Sequence, residues 1–294
     1  MERKGPLGRP KPVFLNYSQE QLDKAYDQAK WAPEMAQLEA ADGTRSARVR
    51  KDMPPLTRRY GPGEADLIDI FTPANARNVP ILLFIHGGAW TRNSRLDASL
   101  AAPTLVGRRA AYATPDVGSL KTLRLPDMIE NCRRCLEWIF RNAADFGGNP
   151  DRLYLAGHSS GAHLAGCLLV TDWTKRGLPA DPIKGALLLS GMYDLHPVLL
   201  SSRSAYLHVT QEEAAETSPM RHLAGITCPV AVVWADEDSP EFKRQSSVFA
   251  DALEGMGRLA SRTIAFNTNH FEEDERLGDA DSEVSRTLFA LMEI

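Results

Sequence analysis

Gly157-His158-Ser159-Ser160-Gly161 sets a serine between two glycines at the spacing G-x-S-x-G. Only Ser159 fits the central place; Ser160 is one residue out of register. The flanks suit a strand–turn–helix: LYLAG before the serine is apolar, and AHLAGCLLV after it reads as a helix. So tight a turn strains the backbone at the serine, and neighbours without a β-carbon let strand and helix pass. The helix that starts there aims its first N–H groups at the same point. Such a hydroxyl is a nucleophile if a base takes its proton and a third group orients the base.

The chain has seven histidines, so placement must choose among them. Sites on a parallel sheet gather where strands end. His270, in NTNHF, directly follows the apolar run RTIAF and precedes the last helical stretch. The acid belongs to the loop after VAVVW, which holds Asp236, Glu237, Asp238 and Glu241. Asp236 is nearest the strand end; Asp238 lies deeper in the loop, where it has more freedom to reach a histidine, and is weakly preferred. The order serine–aspartate–histidine admits either. The run FIHGGAW (84–90) follows another apolar stretch and offers backbone N–H groups for an oxyanion. Gly88, Ala89 and Ser160 are the expected donors, with Gly87 shaping the loop and His86 holding it. Trp90, Trp173 and Tyr193 are candidates for an aromatic pocket wall, although large aromatics more often pack in a core. His158, beside the nucleophile, is a further pocket candidate.

The elements that must carry these residues show in the apolar pattern. DLIDIF, ILLFI, LYLAG, ALLLS, VAVVW and RTIAF read as strands. Helical stretches fall between them or after them, at 127–145, about 160–173, 240–256 and 281–293. Alternation of this kind predicts an α/β fold: a mostly parallel sheet with helices on both faces. Residues 65–294 form this catalytic unit. Residues 1–64 form a helical extension and connector packed on it. In that extension Ser18 and Gln21 make a capping box, and Leu22, Ala25, Tyr26 and Ala29 share one helical face, ending near Pro33. Residues 42–64 read as the connector. GPGEAD has only G-x-G and precedes a strand, so it is no dinucleotide fingerprint. Cys132 and Cys135 form a CxxC, but they lie on the apolar face of a helix, where cysteine packs as a small hydrophobe. A net charge of −4 gives no basic excess for nucleic acid or an anionic membrane. The basic N-terminus lacks the apolar run of a signal sequence. A cytoplasmic enzyme is therefore expected.

HGGAW, GHSSGAHLAG and the order serine–aspartate–histidine resemble the α/β-hydrolases of the esterase–lipase branch over residues 66–294. HGGAW at 86–90, FGGNPDRLYLAGHSSGAHLAG at 146–166, LSGMYDLHPV at 189–198, DSPEFKRQS at 238–246 and the N-terminal YSQEQLDKAYDQAKWAP resemble the kynurenine formamidase (arylformamidase) family. The DSPEF match favours Asp238 over Asp236. The resemblance implies an α/β-hydrolase fold and hydrolysis of N-formyl-L-kynurenine or a related aryl amide, with no metal and no cofactor. Its partner would be a small aromatic amide or ester, and dimers are common among such proteins. One stretch departs from the family pattern: Thr114-Pro115-Asp116 stands where a strand ending in an Asn-Tyr-like pair is expected. Asp116 is thus predicted to border the pocket and alter substrate choice, unless it is a solvated loop residue. A general carboxylesterase with the same triad is the rival reading. A non-catalytic ligand-binding hydrolase fold is more distant, because no triad member is missing. No HExxH suggests a metallohydrolase.

Overall fold

The computed structural model describes residues 11–63 and 66–294. The reading of the basic N-terminal stretch lies largely outside them, as do Glu64 and Ala65. The first helix, α1 (Gln19–Tyr26), starts at Ser18. The Gln21 side chain accepts from the Ser18 N–H at 2.9 Å, and the Ser18 hydroxyl accepts from the Gln21 N–H at 3.3 Å. This is the capping box read from the sequence. The helix stops short of Pro33, because the chain tightens into a 3₁₀ turn at Gln28–Lys30.

Next comes α2 (Met35–Asp52), which runs through much of the stretch read as connector. Its apolar residues follow no single face and only Ser46 is buried, so periodicity could not reveal it. Polar fastenings hold it instead. The Ser46 hydroxyl donates to the Asp97 carbonyl at 2.8 Å, and Arg50 pairs with Asp69. The remainder of that stretch supplies β1 (Leu56–Arg59), a short exposed strand whose sequence LTRR carries no apolar signal. The chain continues through β2 (Leu67–Phe71), β3 (Val79–Ile85), α3 (Ala102–Gly107), β4 (Ala111–Pro115), α4 (Leu125–Asn142) and β5 (Gly148–His158). Then follow α5 (Ser160–Leu169), β6 (Gly185–Leu189), α6 (His196–Leu200), α7 (Ser204–Leu207) and α8 (Gln211–Glu216). The last elements are β7 (Val230–Ala235), α9 (Pro240–Gly255), β8 (Leu259–Ala265) and α10 (Glu283–Met292).

The strands form one sheet in the order β1-β2-β4-β3-β5-β6-β7-β8. The pairs β1–β2 and β2–β4 are antiparallel; every later pair is parallel. Parallel strands are covered on both faces, which is why their sequences are continuously apolar. In β3, Ile81, Leu83 and Ile85 join the core that includes Met128, Cys132 and Leu136 of α4. Leu82 and Phe84 join the opposite core with Leu288 and Met292 of α10. Cys132 and Cys135 are free and buried, and burial pushes both thiols well up, away from the reactive thiolate. Strand order reverses at β3, between β4 and β5, and crevices form beyond strand ends at such a switch point. Among the described residues, no helix is long and apolar enough to cross a membrane.

One buried charge ties the N-terminal helices to this sheet. Asp69, on β2, is fully buried and pairs with Arg50 of α2 and with Arg95, whose Nε lies 3.2 Å away. The Thr57 hydroxyl of β1 donates to its other oxygen at 2.5 Å. Removing the buried carboxylate leaves its partly buried counter-charges unmet. Asp69→Ala should therefore lower the unfolding free energy by about 3 kcal/mol in urea titration. Asp52→Ala, which loses only an exposed pair with Arg48, should cost less than about 0.5 kcal/mol.

Candidate active site

Ser159 stands between β5 and α5 with φ +53° and ψ −119°, the strained turn its glycines foretold. A β-carbon on Gly157 would lie 2.5 Å from the Gly161 carbonyl oxygen. One on Gly161 would lie 2.1 Å from the Ile85 oxygen and 2.4 Å from that of His86. Backbone therefore packs on backbone, and the end of β3 is pressed against the start of α5.

His270 Nε2 is 2.8 Å from Ser159 Oγ, and His270 Nδ1 is 3.1 Å from Asp238 Oδ2. A carboxylate can only accept, so Nδ1 carries the proton and Nε2 is left to accept from the serine. The imidazole meets the Phe242 ring edge-on at 4.7 Å and lies 4.8 Å from that of His158. Asp238 is buried, and burial pushes its carboxyl up. Its neighbour His270, with the hydrogen bonds it accepts, outweighs this and holds it below the usual value. Its second oxygen accepts from the Ser239 N–H at 2.8 Å and from the Gln28 side-chain amide at 2.6 Å. Asp236, the alternative acid, accepts from the Thr268 N–H at 3.1 Å. It anchors the loop that carries His270 rather than the imidazole itself.

After β3 the chain enters three successive left-handed residues: Gly88 (φ +115°), Ala89 (φ +53°) and Trp90 (φ +59°). The Gly88 carbonyl accepts from the N–H groups of Thr91 and Arg92, closing a tight turn. A β-carbon on Gly88 would lie 2.3 Å from the Arg92 oxygen. His86 Nδ1 lies 2.8 Å from the Gly87 carbonyl oxygen, and burial lowers its pKa, so a neutral ring donates and braces the loop. Ser160, the other expected donor, is the first residue of α5.

A cavity of about 260 Å³ opens over Ser159 and His270. Gly87, Gly88, Ala89 and His158 lie on its wall. Trp90, Trp173, Tyr193 and Asp116 do not. The Trp90 indole N–H donates to His163 at 3.3 Å, and that of Trp173 to the Leu168 carbonyl at 3.1 Å. Tyr193 stacks on Phe249 with centroids 4.0 Å apart. All three aromatics are core residues. Asp116 is neither a pocket group nor a solvated one: it pairs with the Arg95 side chain and accepts from the Arg95 N–H at 2.9 Å. Pro115 closes β4 without breaking it.

The rest of the wall went unread in the sequence. Tyr26 and Asp27 reach it from the end of α1, Gln28 and Ala29 from the 3₁₀ turn, Met35, Glu39 and Asp42 from α2, and Ser202, Arg203 and Tyr206 from the segment around α7. No motif marks them, because tertiary contacts bring them there. Arg203 is 8% exposed; its Nε donates to the Tyr26 carbonyl at 2.8 Å and its Nη1 to the Tyr206 hydroxyl at 3.1 Å. No carboxylate among the described residues pairs with it.

Behind the imidazole lie groups that burial keeps neutral. His158 is held down to about 3 by burial and by the neighbouring His270. Glu273 is fully buried, neither of its carboxyl oxygens has a hydrogen-bond partner, and one lies 3.8 Å from His158 Nε2. Burial first, and the charge of Asp238 second, push its carboxyl well up. Among the described residues, no cluster of three or more His, Cys, Asp or Glu side chains could hold a metal ion.

The BD-FAE family model matches residues 68–178. The chain is 31% identical to a kynurenine formamidase of Danio rerio, over 95% of this chain and 98% of the relative. A Silicibacter protein of known structure superposes with a TM-score of 0.80, is 24% identical, and is matched over 93% of this chain and 99% of its own. A thermostable carboxylesterase from a metagenomic library gives a TM-score of 0.72 at 16% identity, over 88% and 97% of the two chains. The fold is that of the α/β-hydrolase esterases.

A carboxyl held neutral by the fold, but free to ionise when unfolded, loses stability as pH rises above its unfolded value. The folded Glu273 keeps a proton that the unfolded chain releases near pH 4.5. Glu273→Gln, which carries no such proton, should gain on the parent protein by about 1.4 kcal/mol per pH unit above that value, until the folded carboxyl itself ionises. Urea unfolding at pH 5, 6 and 7 measures this, and a difference that does not change with pH would mean that Glu273 is ionised in the fold.

Proposed function

The chain belongs to the kynurenine formamidase family, and we propose that it is a serine hydrolase that cleaves small aryl amides through an acyl-enzyme, with a formylated aromatic amine of the N-formyl-L-kynurenine kind as substrate. The observation that carries this is the hydrogen-bonded line Ser159–His270–Asp238, whose first two members line the cavity. His270 Nε2 takes the hydroxyl proton as Ser159 Oγ attacks the formyl carbon. The N–H groups of Gly88, Ala89 and Ser160 receive the oxyanion. Asp238 stabilises the imidazolium, which then protonates the leaving nitrogen. An aniline leaves more readily than an alkyl amine, which suits an aryl amide. Water, activated by the same imidazole, releases formate and restores Ser159.

Arg203 favours a substrate with an anionic group over a plain ester. A buried guanidinium on the cavity wall without a carboxylate partner among the described residues is a ready site for one. A neutral ester makes no use of it.

Kinetics on N-formyl-L-kynurenine and 4-nitrophenyl acetate test both points. Ser159→Ala and His270→Ala should each lower kcat by about 10⁴- to 10⁶-fold, and the double variant by scarcely more, since the triad acts as a unit. Losses that multiply would overturn the shared mechanism. Ester cleavage without formamide cleavage would leave a carboxylesterase. Arg203→Met should raise KM for the formamide by about tenfold or more, the worth of one charge-assisted hydrogen bond, and leave the ester almost untouched. An equal effect on both substrates would remove Arg203 from anion recognition.

A further inference from the structure

The acid of the triad is completed from outside the sheet. Asp238 Oδ2 faces the imidazole, and Oδ1 has two donors. One is the adjoining Ser239 N–H, which the start of α9 supplies. The other is the side chain of Gln28, 210 residues away in sequence and 5% exposed, with its Nε2 at 2.6 Å. The orientation of that amide follows from chemistry, since its carbonyl turned toward a carboxylate would set two acceptors together.

The segment that brings Gln28 is fastened to the same place. The Ser239 hydroxyl donates to the Ala25 carbonyl at 2.6 Å. The Tyr26 hydroxyl donates to Glu241 at 3.0 Å and accepts from the Gln245 amide at 2.9 Å. Tyr26 and Gln28 also form part of the cavity wall. One stretch of chain thus closes the cavity and touches the back of the triad.

We propose that Gln28 is a positioning residue for catalysis: it holds Asp238 oriented on His270, and so couples docking of the segment from Gln19 to Lys30 to the competence of the triad. The inference rests on the serine-hydrolase reading. The physical reason is that a buried carboxylate needs donors on both oxygens. With Oδ1 half satisfied, the carboxyl can rotate toward other donors, and its charge falls more heavily on the imidazolium.

The test uses Gln28→Met, which keeps volume and removes the donor, with Gln28→Ala beside it in case the longer side chain disturbs folding; thermal unfolding is measured for both. kcat should fall by about tenfold to a hundredfold, the rate equivalent of one charge-assisted hydrogen bond. KM should change much less. The acidic limb of the kcat/KM profile should move up by about half a pH unit or more, because the less-solvated carboxylate holds the proton on His270 more tightly. In an Asp238→Asn background the same substitution should change the residual rate less than about twofold. An unmoved acidic limb, or an equal loss in both backgrounds, would make Gln28 a packing residue and overturn the proposal. Full activity in Ser159→Ala would instead overturn the serine-hydrolase reading, so the two failures are told apart.

Discussion

The contact of Gly161 with the carbonyl oxygens of Ile85 and His86 governs the geometry of this molecule's site. Any side chain at that point would push α5 away from the end of β3. The Gly88–Ala89 loop leaves the end of β3, and Ser159 precedes α5. A displacement of even an ångström would separate the proposed nucleophile from the proposed oxyanion donors. The strain at Ser159 follows from the same approach, because the chain must turn from strand to helix within one residue. The sheet and its two cores supply the packing that keeps so tight a turn in place. The Asp69 cluster fixes β1 and α2 to the far edge of that sheet, and through α2 it sets one side of the cavity.

Electrostatics arranges what sterics brings together. The His158 ring lies 4.8 Å from that of His270, and Glu273 and Asp274 lie 3.8 Å and 3.7 Å from His158; the fold favours the charged form in only some members of this cluster. Asp238 has donors on both oxygens and stays a carboxylate. Glu273, with none, is pushed toward its neutral form, as is Asp274, where burial and then the charges of Asp42 and Glu275 act together. His158 is neutral for the same reason of burial. An imidazolium forming on His270 would therefore meet one well-placed negative charge rather than several. Both are buried, so the difference lies in their neighbours: Asp238 has His270 and donors on both oxygens, whereas Glu273 faces the charge of Asp238 and has no donor.

How legible this was in the sequence depended on what holds each piece. Strands β2, β3 and β5 to β8, and helices α4, α5, α9 and α10, are held by apolar faces, and their periods are plain in the chain. Ser159 and His270 each follow one of those strands, so position could single them out; it left Asp236 and Asp238 both open, and the family resemblance favoured Asp238. β1 is an exposed edge with the sequence LTRR, and α2 is held by Ser46, Arg50 and their partners, so neither had an apolar period to find. The pocket aromatics misled for a related reason. Trp90, Trp173 and Tyr193 stand near motif residues in sequence, but large rings gain most by burial, and all three turn into the core. Asp116 looked like a group that would reach substrate because its partner, Arg95, lies 21 residues away with no pattern to announce it.

The parts that could not be read share a property. Motif residues must hold the same relation to a strand end in any member of a family, so local sequence constrains them. Wall residues need only arrive, and many arrive here from outside the strand–helix alternation: the end of α1 and the turn after it, α2, and the stretch around α7, the first and last of which form the roof. Those two meet each other, since Arg203 donates to the Tyr26 carbonyl and Ser202 donates its N–H to Asp23 at 2.6 Å. The cavity is thus roofed by a contact between two insertions to the sheet rather than by the sheet itself. A change in either segment would reshape the substrate space and leave the strand ends where they are. Gln28 is the exception that ties roof to floor, because its amide is bonded to the carboxylate that faces His270. The roof can diverge in most of its residues, but a change at that one would be felt in the chemistry as well as in the fit.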